Sequence, residues 1–210
     1  YEPVLSRDGE EIYFTSEATD MGGFGGMDGD TNGVSDVFMV ELSIKGFPTT
    51  RVSVADDGSE LNGASHSPSA ARTEALVAFV SEDADGKSDV YVRDVNLETT
   101  EQVSLAADGS DSAGDAWAPY LSQTGRYVAF VADDGSLVDG DDDGAPDAFV
   151  YDRRDAEIWR ASLNGEDGTG GGDVSGVSVS ANGRFALFVA GQDTLSTDDT
   201  NGDSDPYMYD

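Results

Sequence analysis

One segment decides the fold, Pro119-Tyr-Leu-Ser-Gln-Thr-Gly-Arg-Tyr-Val-Ala-Phe130, because the chain contains it four times. It aligns without a gap on residues 3–14, 68–79 and 177–188. A pattern that returns at such long spacing indicates a repeat architecture, and the spacing is too long for one helical repeat. It fits a unit of four strands.

Apolar residues within each unit alternate with a period of two, as in residues 126–132 and 147–152. This period is typical of strands, and no window has the apolar spacing of a helix, so we expect almost no helix. Each unit predicts a short inner strand at Pro-x-x-Ser, a longer strand ending near the phenylalanine, a third strand after an acidic loop, and an outer strand. The predicted outer strands are residues 50–54, 101–105 and 158–163.

Four antiparallel strands that follow one another and then repeat are typical of β-propeller blades. We therefore predict an all-β fold, with residues 1–210 forming one propeller domain or part of one. The units are about residues 1–63, 64–115, 116–173 and 174–210. The last unit ends after its third strand, so we expect its outer strand to be missing. Either the chain is a four-blade piece of a larger propeller, or a partner chain donates the strand.

Composition excludes several classes of function. The chain has 43 acidic and 11 basic residues, a net charge of −32 and no cysteine. This charge opposes binding to nucleic acid and to anionic membrane surfaces, and no apolar run approaches the roughly 18 residues of a membrane span. An acidic, lysine-poor surface suits a salty medium, which predicts a marine or halophilic source. We expect an extracellular or cell-surface location, with the periplasm as the alternative.

An acidic loop with the pattern D/S/T-x-D-x-D/N-G-x-x-D lies between the second and third predicted strands of every unit. Asp and Asn at positions 1, 3 and 5 can direct oxygen atoms to one side of a tight turn, the glycine permits the bend, and position 7 offers a carbonyl. The predicted metal ligands are Asp28, Asp30, Asn32, Val34, Asp36, Asp83, Asp85, Lys87, Asp89, Asp139, Asp141, Asp143, Ala145, Asp147, Thr197, Asp199, Asn201, Asp203 and Asp205.

Hard oxygen ligands favour calcium (Ca²⁺), because magnesium demands a tighter octahedron and transition metals prefer imidazole or thiolate. The alternative is an ordinary hairpin turn, since Asn-Gly and Asp-Gly are common turn dipeptides. Recurrence in four loops favours the cation. Asp28 and Asp139 complete their loops, whereas Ser81 and Thr197 supply neutral oxygens, so the expected order of affinity is third, first, fourth and second loop.

The chain resembles the TolB-like β-propeller repeats, particularly their secreted bacterial and archaeal form. Residues 30–38, 103–109, 122–132 and 147–153 carry this resemblance. It implies a propeller that serves as a binding platform, as a domain of a surface protein, or as a gate on a peptidase. The acidic loop also looks like the calcium loop of the integrin α-subunit propeller. The sequence departs from the repeat in the second unit, which lacks the turn glycine, and at Val177, which replaces the proline.

The sequence indicates no enzyme, because His66 is the single histidine and no Gly-x-Ser-x-Gly elbow accompanies it. His66, Trp117 and Ser175 occupy the same place, two residues before the predicted inner strand, where a propeller chain enters the rim of its channel. Together with Tyr120 they form the predicted surface for a ligand or partner. The alternative is that Trp117 packs between blades.

The predicted function is a non-enzymatic, calcium-stabilised, extracellular β-propeller that binds a protein or glycan partner or serves in surface assembly. One alternative is a structural subunit of a filament or lattice that self-assembles by strand sharing at the open blade edge. Another is the propeller domain of a larger secreted hydrolase.

Overall fold

The computed structural model describes residues 2–6, 9–19, 30–141, 144–163, 173–191, 195–196 and 201–210. These residues form fifteen strands and contain no helix, as the period-two pattern predicts. Among them, therefore, no helix is present that could cross a membrane.

The strands form four separate antiparallel sheets, each in chain order. The first sheet contains β1 (Val4–Leu5), β2 (Glu11–Ser16), β3 (Asp36–Glu41) and β4 (Thr49–Arg51). The second contains β5 (Ser65–Ala70), β6 (Leu76–Glu82), β7 (Ser88–Asp94) and β8 (Thr99–Gln102). The third contains β9 (Ala116–Leu121), β10 (Tyr127–Ala132), β11 (Asp147–Asp152) and β12 (Glu157–Arg160). The fourth contains β13 (Val174–Val179), β14 (Ala186–Ala190) and β15 (Asp205–Tyr209). The predicted all-β fold of four blades is confirmed, and within the described ranges the fourth blade has three strands.

The core lies between neighbouring blades. The repeated phenylalanine of β6, β10 and β14 packs on the preceding blade and is 0%, 0% and 3% exposed at Phe79, Phe130 and Phe188. We call this side of a blade its rear face, and the opposite side its front face. Ala129 and Val131, both 0% exposed, lie on the front face of the third blade and pack with Phe188 of the fourth. Each blade therefore depends on its neighbour for burial.

The inner strands begin earlier than predicted. β9 begins at Ala116, three residues before the predicted start at Pro119, so Trp117 lies inside the strand. The same correction applies to His66 and Ser175, which lie inside β5 and β13. The reason is a β-bulge at Ala118, where φ is +52°. The bulge lets the ladder continue past a proline that has no N–H to donate.

The outer strands each end three residues earlier than predicted. In the second blade the Val103 amide still donates to the Val90 carbonyl at 2.9 Å, but Ser104 then interrupts the ladder. Its hydroxyl accepts a hydrogen bond from the Val90 amide at 3.0 Å and donates one to Asp89 at 2.7 Å. The serine side chain replaces the carbonyl of a continuing strand, and the chain turns away.

The same contact, which we call the serine–aspartate clasp, recurs in the first three blades. Ser53 donates to Asp36 at 2.7 Å in the first blade, and Ser162 donates to Asp147 in the third. All the serines of the clasps are 0% exposed, and their aspartates are 4% exposed or less. The clasp joins the end of the outer strand to the start of the third strand, which carries the last residue of the acidic loop.

Phe130→Ala should lower the free energy of unfolding by about 3–5 kcal/mol, because it removes a fully buried ring between the second and third blades. Leu97→Ala, at a site that is 72% exposed, is the control and should change stability by less than about 0.5 kcal/mol. Urea unfolding measures both variants, and equal losses would contradict a core that lies between blades.

Ser104→Ala should lower the free energy of unfolding by about 1–3 kcal/mol, because the buried Asp89 carboxylate loses its shortest hydrogen bond, at 2.7 Å. Ser110→Ala removes a hydrogen bond of similar length, 2.6 Å to Asp108, at an exposed turn, where water replaces the lost partner. A comparison of the two urea midpoints isolates the effect of burial. If the exposed variant loses as much stability as the buried one, the clasp is not a determinant of blade stability.

Candidate cation sites and central cavity

The acidic loops end at the clasps. Asp36, Asp147 and Asp205 are the first residues of β3, β11 and β15, and Asp89 is the second residue of β7. The last aspartate of the first three loops is therefore buried at the end of its blade. Four of the predicted ligands lie outside the described residues, namely Asp28, Asp143, Thr197 and Asp199.

Side chains of the first loop make the bonds of an ordinary turn. Asp30 Oδ1 accepts hydrogen bonds from the amides of Asn32 at 3.1 Å and Gly33 at 2.9 Å, and the Asn32 side chain accepts one from Val34 at 2.9 Å. The second oxygen of Asp30, Oδ2, is buried and has no hydrogen-bond partner. Turn bonding thus uses one carboxylate oxygen and leaves the other for a different partner.

The second and fourth loops have similar turn bonds. Asp83 Oδ1 accepts from the amides of Asp85 at 2.8 Å and Lys87 at 2.9 Å. Asn201 accepts from the Asp203 amide at 2.6 Å, and its own amide donates to Asp205 at 2.9 Å. The hairpin-turn interpretation therefore describes part of the bonding in each of these loops.

A third carboxylate joins the first loop from another part of the chain. Oxygens of Asp30, Asp36 and Glu60 all lie within 4.8 Å of one another, a group that could hold a metal ion. Glu60 belongs to the connection between the first two blades and accepts from the Thr31 amide at 3.1 Å. Burial raises the pKa of Asp36 to about 6; hydrogen bonding from Ser53 lowers it, and the neighbouring carboxylates raise it.

Arg51, the last residue of β4, already lies in this group. Its guanidinium is 3.2 Å from Asp36 through Nε and 2.5 Å from Glu60 through Nη1. The Arg51 side chain is 9% exposed. One positive charge therefore compensates part of the three carboxylates, and an excess of negative charge remains.

The third blade has an arginine at the corresponding place. Arg160 Nη1 lies 2.7 Å from Asp141 and 3.4 Å from Asp147. All three side chains are buried, at 6%, 3% and 0% exposure. The guanidinium thus contacts both of these buried carboxylates in the place where the sequence predicts a cation.

The second blade has Gln102 where its neighbours have arginine. Burial raises the pKa of Asp89, the hydroxyl of Ser104 and the side chain of Gln102 lower it, and the charges of Asp83 and Asp111 raise it. Asp111 corresponds to Glu60, because each pairs with the residue after its clasp serine through an isolated bridge. Asp83 and Asp111 thus act on Asp89 through their charges, and a neutral glutamine stands where the neighbouring blades have arginine. Among the described residues, the carboxylate oxygens that lie close enough together to hold a metal ion are those of the first blade.

Lys87 does not supply the missing positive charge of the second blade. Across the described part of the chain it forms no ion pair, and its amide bonds Asp83. Five residues near the candidate cation sites were not predicted from the sequence because they lie outside the acidic loops: Arg51, Gln102, Arg160, Glu60 and Asp111. The recurrence of Arg-Val-Ser, Gln-Val-Ser and Arg-Ala-Ser just before each connection was the signal that could have revealed the first three.

A cavity of about 760 Å³ lies where the inner strands of all four blades meet. Its walls are residues 4–6, 68–70, 119–121 and 179–181, together with Arg72 and Gln123. Tyr120 lines this cavity and is 41% exposed. The inner-strand positions thus form a shared central surface that combines apolar and polar groups.

The other predicted rim residues lie apart from the walls of this cavity. Trp117 is half-buried and packs against the two apolar clusters that join the second, third and fourth blades. His66 is half-buried with Nδ1 3.0 Å from Ser67 Oγ, and Ser175 is exposed on β13. The structure therefore does not bring these three residues together with Tyr120, and their role in ligand binding stays a prediction.

The sequence matches no protein-family model and has no significant similarity to a curated protein. Solved structures are similar to it in fold. TolB from Acinetobacter baumannii has 18% identity and a TM-score of 0.56, covering 90% of this chain and 37% of TolB. The β-propeller domain of the trilobed protease from Pyrococcus furiosus, described as having an open velcro topology, has 10% identity and a TM-score of 0.54, covering 100% of this chain and 53% of that one.

A third similar structure is an oligogalacturonate lyase in complex with manganese, with 12% identity and a TM-score of 0.54, covering 91% of this chain and 46% of the lyase. The chain spans between about a third and a half of these three proteins. They include enzymes as well as TolB, so the likeness defines architecture. The chain has a TolB-like β-propeller fold, seen here as four blades in an open arrangement.

Proposed function

We propose that this chain is a non-enzymatic, calcium-stabilised, extracellular β-propeller that binds a protein or glycan partner. The observation that carries the proposal is the missing positive charge of the second blade, where the charges of Asp83 and Asp111 act on the buried Asp89 and Gln102 stands in the place of arginine. The corresponding carboxylates of the first blade, Asp30, Asp36 and Glu60, have oxygens within 4.8 Å of one another. A buried carboxylate needs hydrogen bonds and a compensating charge. Arginine supplies that charge in two other blades, and we assign it here to a divalent cation.

Calcium suits these positions because the candidate ligands are carboxylate oxygens from a loop and from the neighbouring connection. A cation here replaces repulsion among three carboxylates by coordination, so that its binding stabilises the second blade. Extracellular calcium is abundant enough to fill sites whose dissociation constant is about 10⁻⁴–10⁻³ M. The extracellular location in this proposal rests on that match.

The arginine contacts favour an order of calcium affinity that differs from the order predicted from the loop sequences. The third loop has the fullest acidic pattern, but Arg160 contacts both Asp141 and Asp147, so a second cation gains least there. In the first blade Arg51 compensates only part of the group, and Asp30 Oδ2 remains without a hydrogen bond. We therefore rank the second blade above the first, and the first above the third.

The arrangement around His66 supports a non-enzymatic role. A nucleophilic triad needs its carboxylate on the far side of the imidazole from the serine. Here the Glu2 carboxylate instead contacts the serine, accepting from the Ser67 amide at 3.0 Å and from its hydroxyl at 3.3 Å. A carboxylate that holds the serine cannot orient the imidazole as a base.

The central cavity supports the binding role. Its walls come from the inner strands of all four blades. Its volume of about 760 Å³ lies in the range of small-ligand sites. The half-exposed Tyr120 ring provides an aromatic surface of the kind that anchors partner side chains or sugar rings. Arg72 adds a positive charge to an otherwise acidic molecule.

Calcium at about a hundred times its dissociation constant should stabilise the chain by about 2.7 kcal/mol, which corresponds to an increase of roughly 5–10 °C in Tm. The measurement is thermal unfolding in EDTA, followed by titration with calcium and, separately, with magnesium. Calcium should act at the lower concentration. A Tm that neither chelation nor calcium changes would contradict the proposal.

Gln102→Arg should abolish most of the calcium-dependent increase in Tm and raise the Tm measured in EDTA. The new guanidinium would occupy the position that Arg51 and Arg160 occupy in their blades. Arg51→Gln is the matched reverse variant; it should lower Tm in EDTA and enlarge the effect of calcium. If both variants respond to calcium as the unaltered chain does, arginine and calcium do not compensate the same carboxylates.

A further inference from the structure

Among the described residues, no other blade covers the front face of the fourth blade. Leu187, Val189 and Met208 lie on this face and are 51%, 38% and 67% exposed. Their counterparts on the third blade are Ala129, Val131 and Val150, all 0% exposed. The third blade is covered by the rear face of the fourth, so the fold itself shows what kind of surface fits these positions.

The rear face of the first blade is the matching surface. Ile12 and Phe14 are half-buried, whereas Val128 and Phe130, their counterparts on the third blade, are 0% exposed. In the three internal interfaces, a rear face of this composition packs on the front face of the preceding blade. The first and fourth blades therefore expose the two halves of one repeated interface.

The turn glycine of each blade makes the match specific, because the missing side chain leaves a space, here called the notch, for a residue of the preceding blade. A side-chain carbon built at Gly125 would lie 2.3 Å from Leu76 Cδ1, and one at Gly183 would lie 2.3 Å from the ring of Tyr127. The turn glycine on each of these blades thus receives a large side chain from the preceding blade. Gly9 is the corresponding glycine of the first blade, and no atom of the described residues lies within 4 Å of a side-chain carbon built there.

Phe185 is the side chain that fits the empty notch. It occupies the position on the fourth blade that Leu76 and Tyr127 occupy on the second and third. The remaining internal interface is consistent with this pairing, because Glu74 replaces the glycine there and Glu11 replaces the large apolar side chain. Notch and apolar side chain are thus present or absent together.

We propose that two copies of this chain associate head to tail, with the front face of the fourth blade of one copy packed on the rear face of the first blade of the other. Within the described part of one copy the two faces do not meet, because the space at Gly9 is open and Leu187 is exposed. Such a contact joins two different surfaces, and two copies related by a two-fold axis make it twice. The ring then has eight blades, within the usual range for propellers.

Sedimentation equilibrium of the unaltered chain tests this directly. The net charge of −32 opposes association, so the measurement uses 1 M NaCl, where the screening length is about 3 Å. We expect the mass of a dimer, with the same result in EDTA because this contact does not involve the acidic loops. A chain that remains monomeric at 1 M NaCl and high protein concentration overturns the proposal.

Two variants that leave the blade interiors intact identify the surfaces. Gly9→Asn fills the notch while keeping a residue that tolerates the left-handed φ of +73°. Its control is Gly58→Asn, in a turn with φ +79° and equally open surroundings. Leu187→Asp places a charge on the front face. Gly9→Asn and Leu187→Asp should each raise the dissociation constant by roughly tenfold or more, and Gly58→Asn should not.

Mixing the two variants that associate weakly distinguishes head-to-tail association from other modes of association. Gly9→Asn retains an intact front face and Leu187→Asp retains an intact rear face, so an equimolar mixture should again form dimers through one interface. Association through two front faces, or by strand sharing at the β15 edge, predicts no such recovery. Absence of recovery, or equal weakening by Gly58→Asn, overturns the proposal, and circular dichroism melts confirm that each variant is folded.

Discussion

The burial of an aspartate at the end of each complete blade is the constraint on which the rest of this structure depends. Asp36, Asp89 and Asp147 receive a serine hydroxyl from the outer strand, which fixes where that strand stops. The hydroxyl satisfies the hydrogen bond but does not compensate the charge. Each blade needs a further positive group, and the chain meets that need with Arg51 in the first blade and Arg160 in the third.

The blade repeat was predictable because short, local sequence patterns determine it. The phenylalanine frame and the period of two gave four sheets with their correct order, and the short last unit predicted a three-stranded fourth blade. The starts of β5 and β9 were missed because a proline ordinarily ends a ladder, and the bulges at Ser67 and Ala118 let pairing continue. β13 has Val177 in place of the proline, and its ladder also continues past a register shift, between Val174 and Gly176. The ends of the outer strands were missed because Val-Ser looks like any strand continuation until its hydroxyl meets Asp89.

The candidate sites were predictable only in part, because their charge balance is a property of three dimensions. The acidic loops are contiguous in sequence, and they indicated carboxylate clusters correctly in the first blade. Arg51 comes from the outer strand and Glu60 from the following connection, so nothing in the loop itself reveals that a guanidinium contacts these carboxylates. The same stacking of blades that brings these groups together also leaves Leu187 and Gly9 exposed at opposite ends. Charge compensation within blades and apolar burial between blades are therefore two separate requirements of one repeat.

A crystal of the chain grown with calcium tests the central claim most directly, through the anomalous difference density of the bound ion. The charge balance of the blades predicts the strongest peak beside Asp83, Asp89 and Asp111, where Gln102 replaces arginine, and the weakest density in the third blade beside Arg160. A strongest peak at the third loop, or no peak at any of the acidic loops, would contradict it.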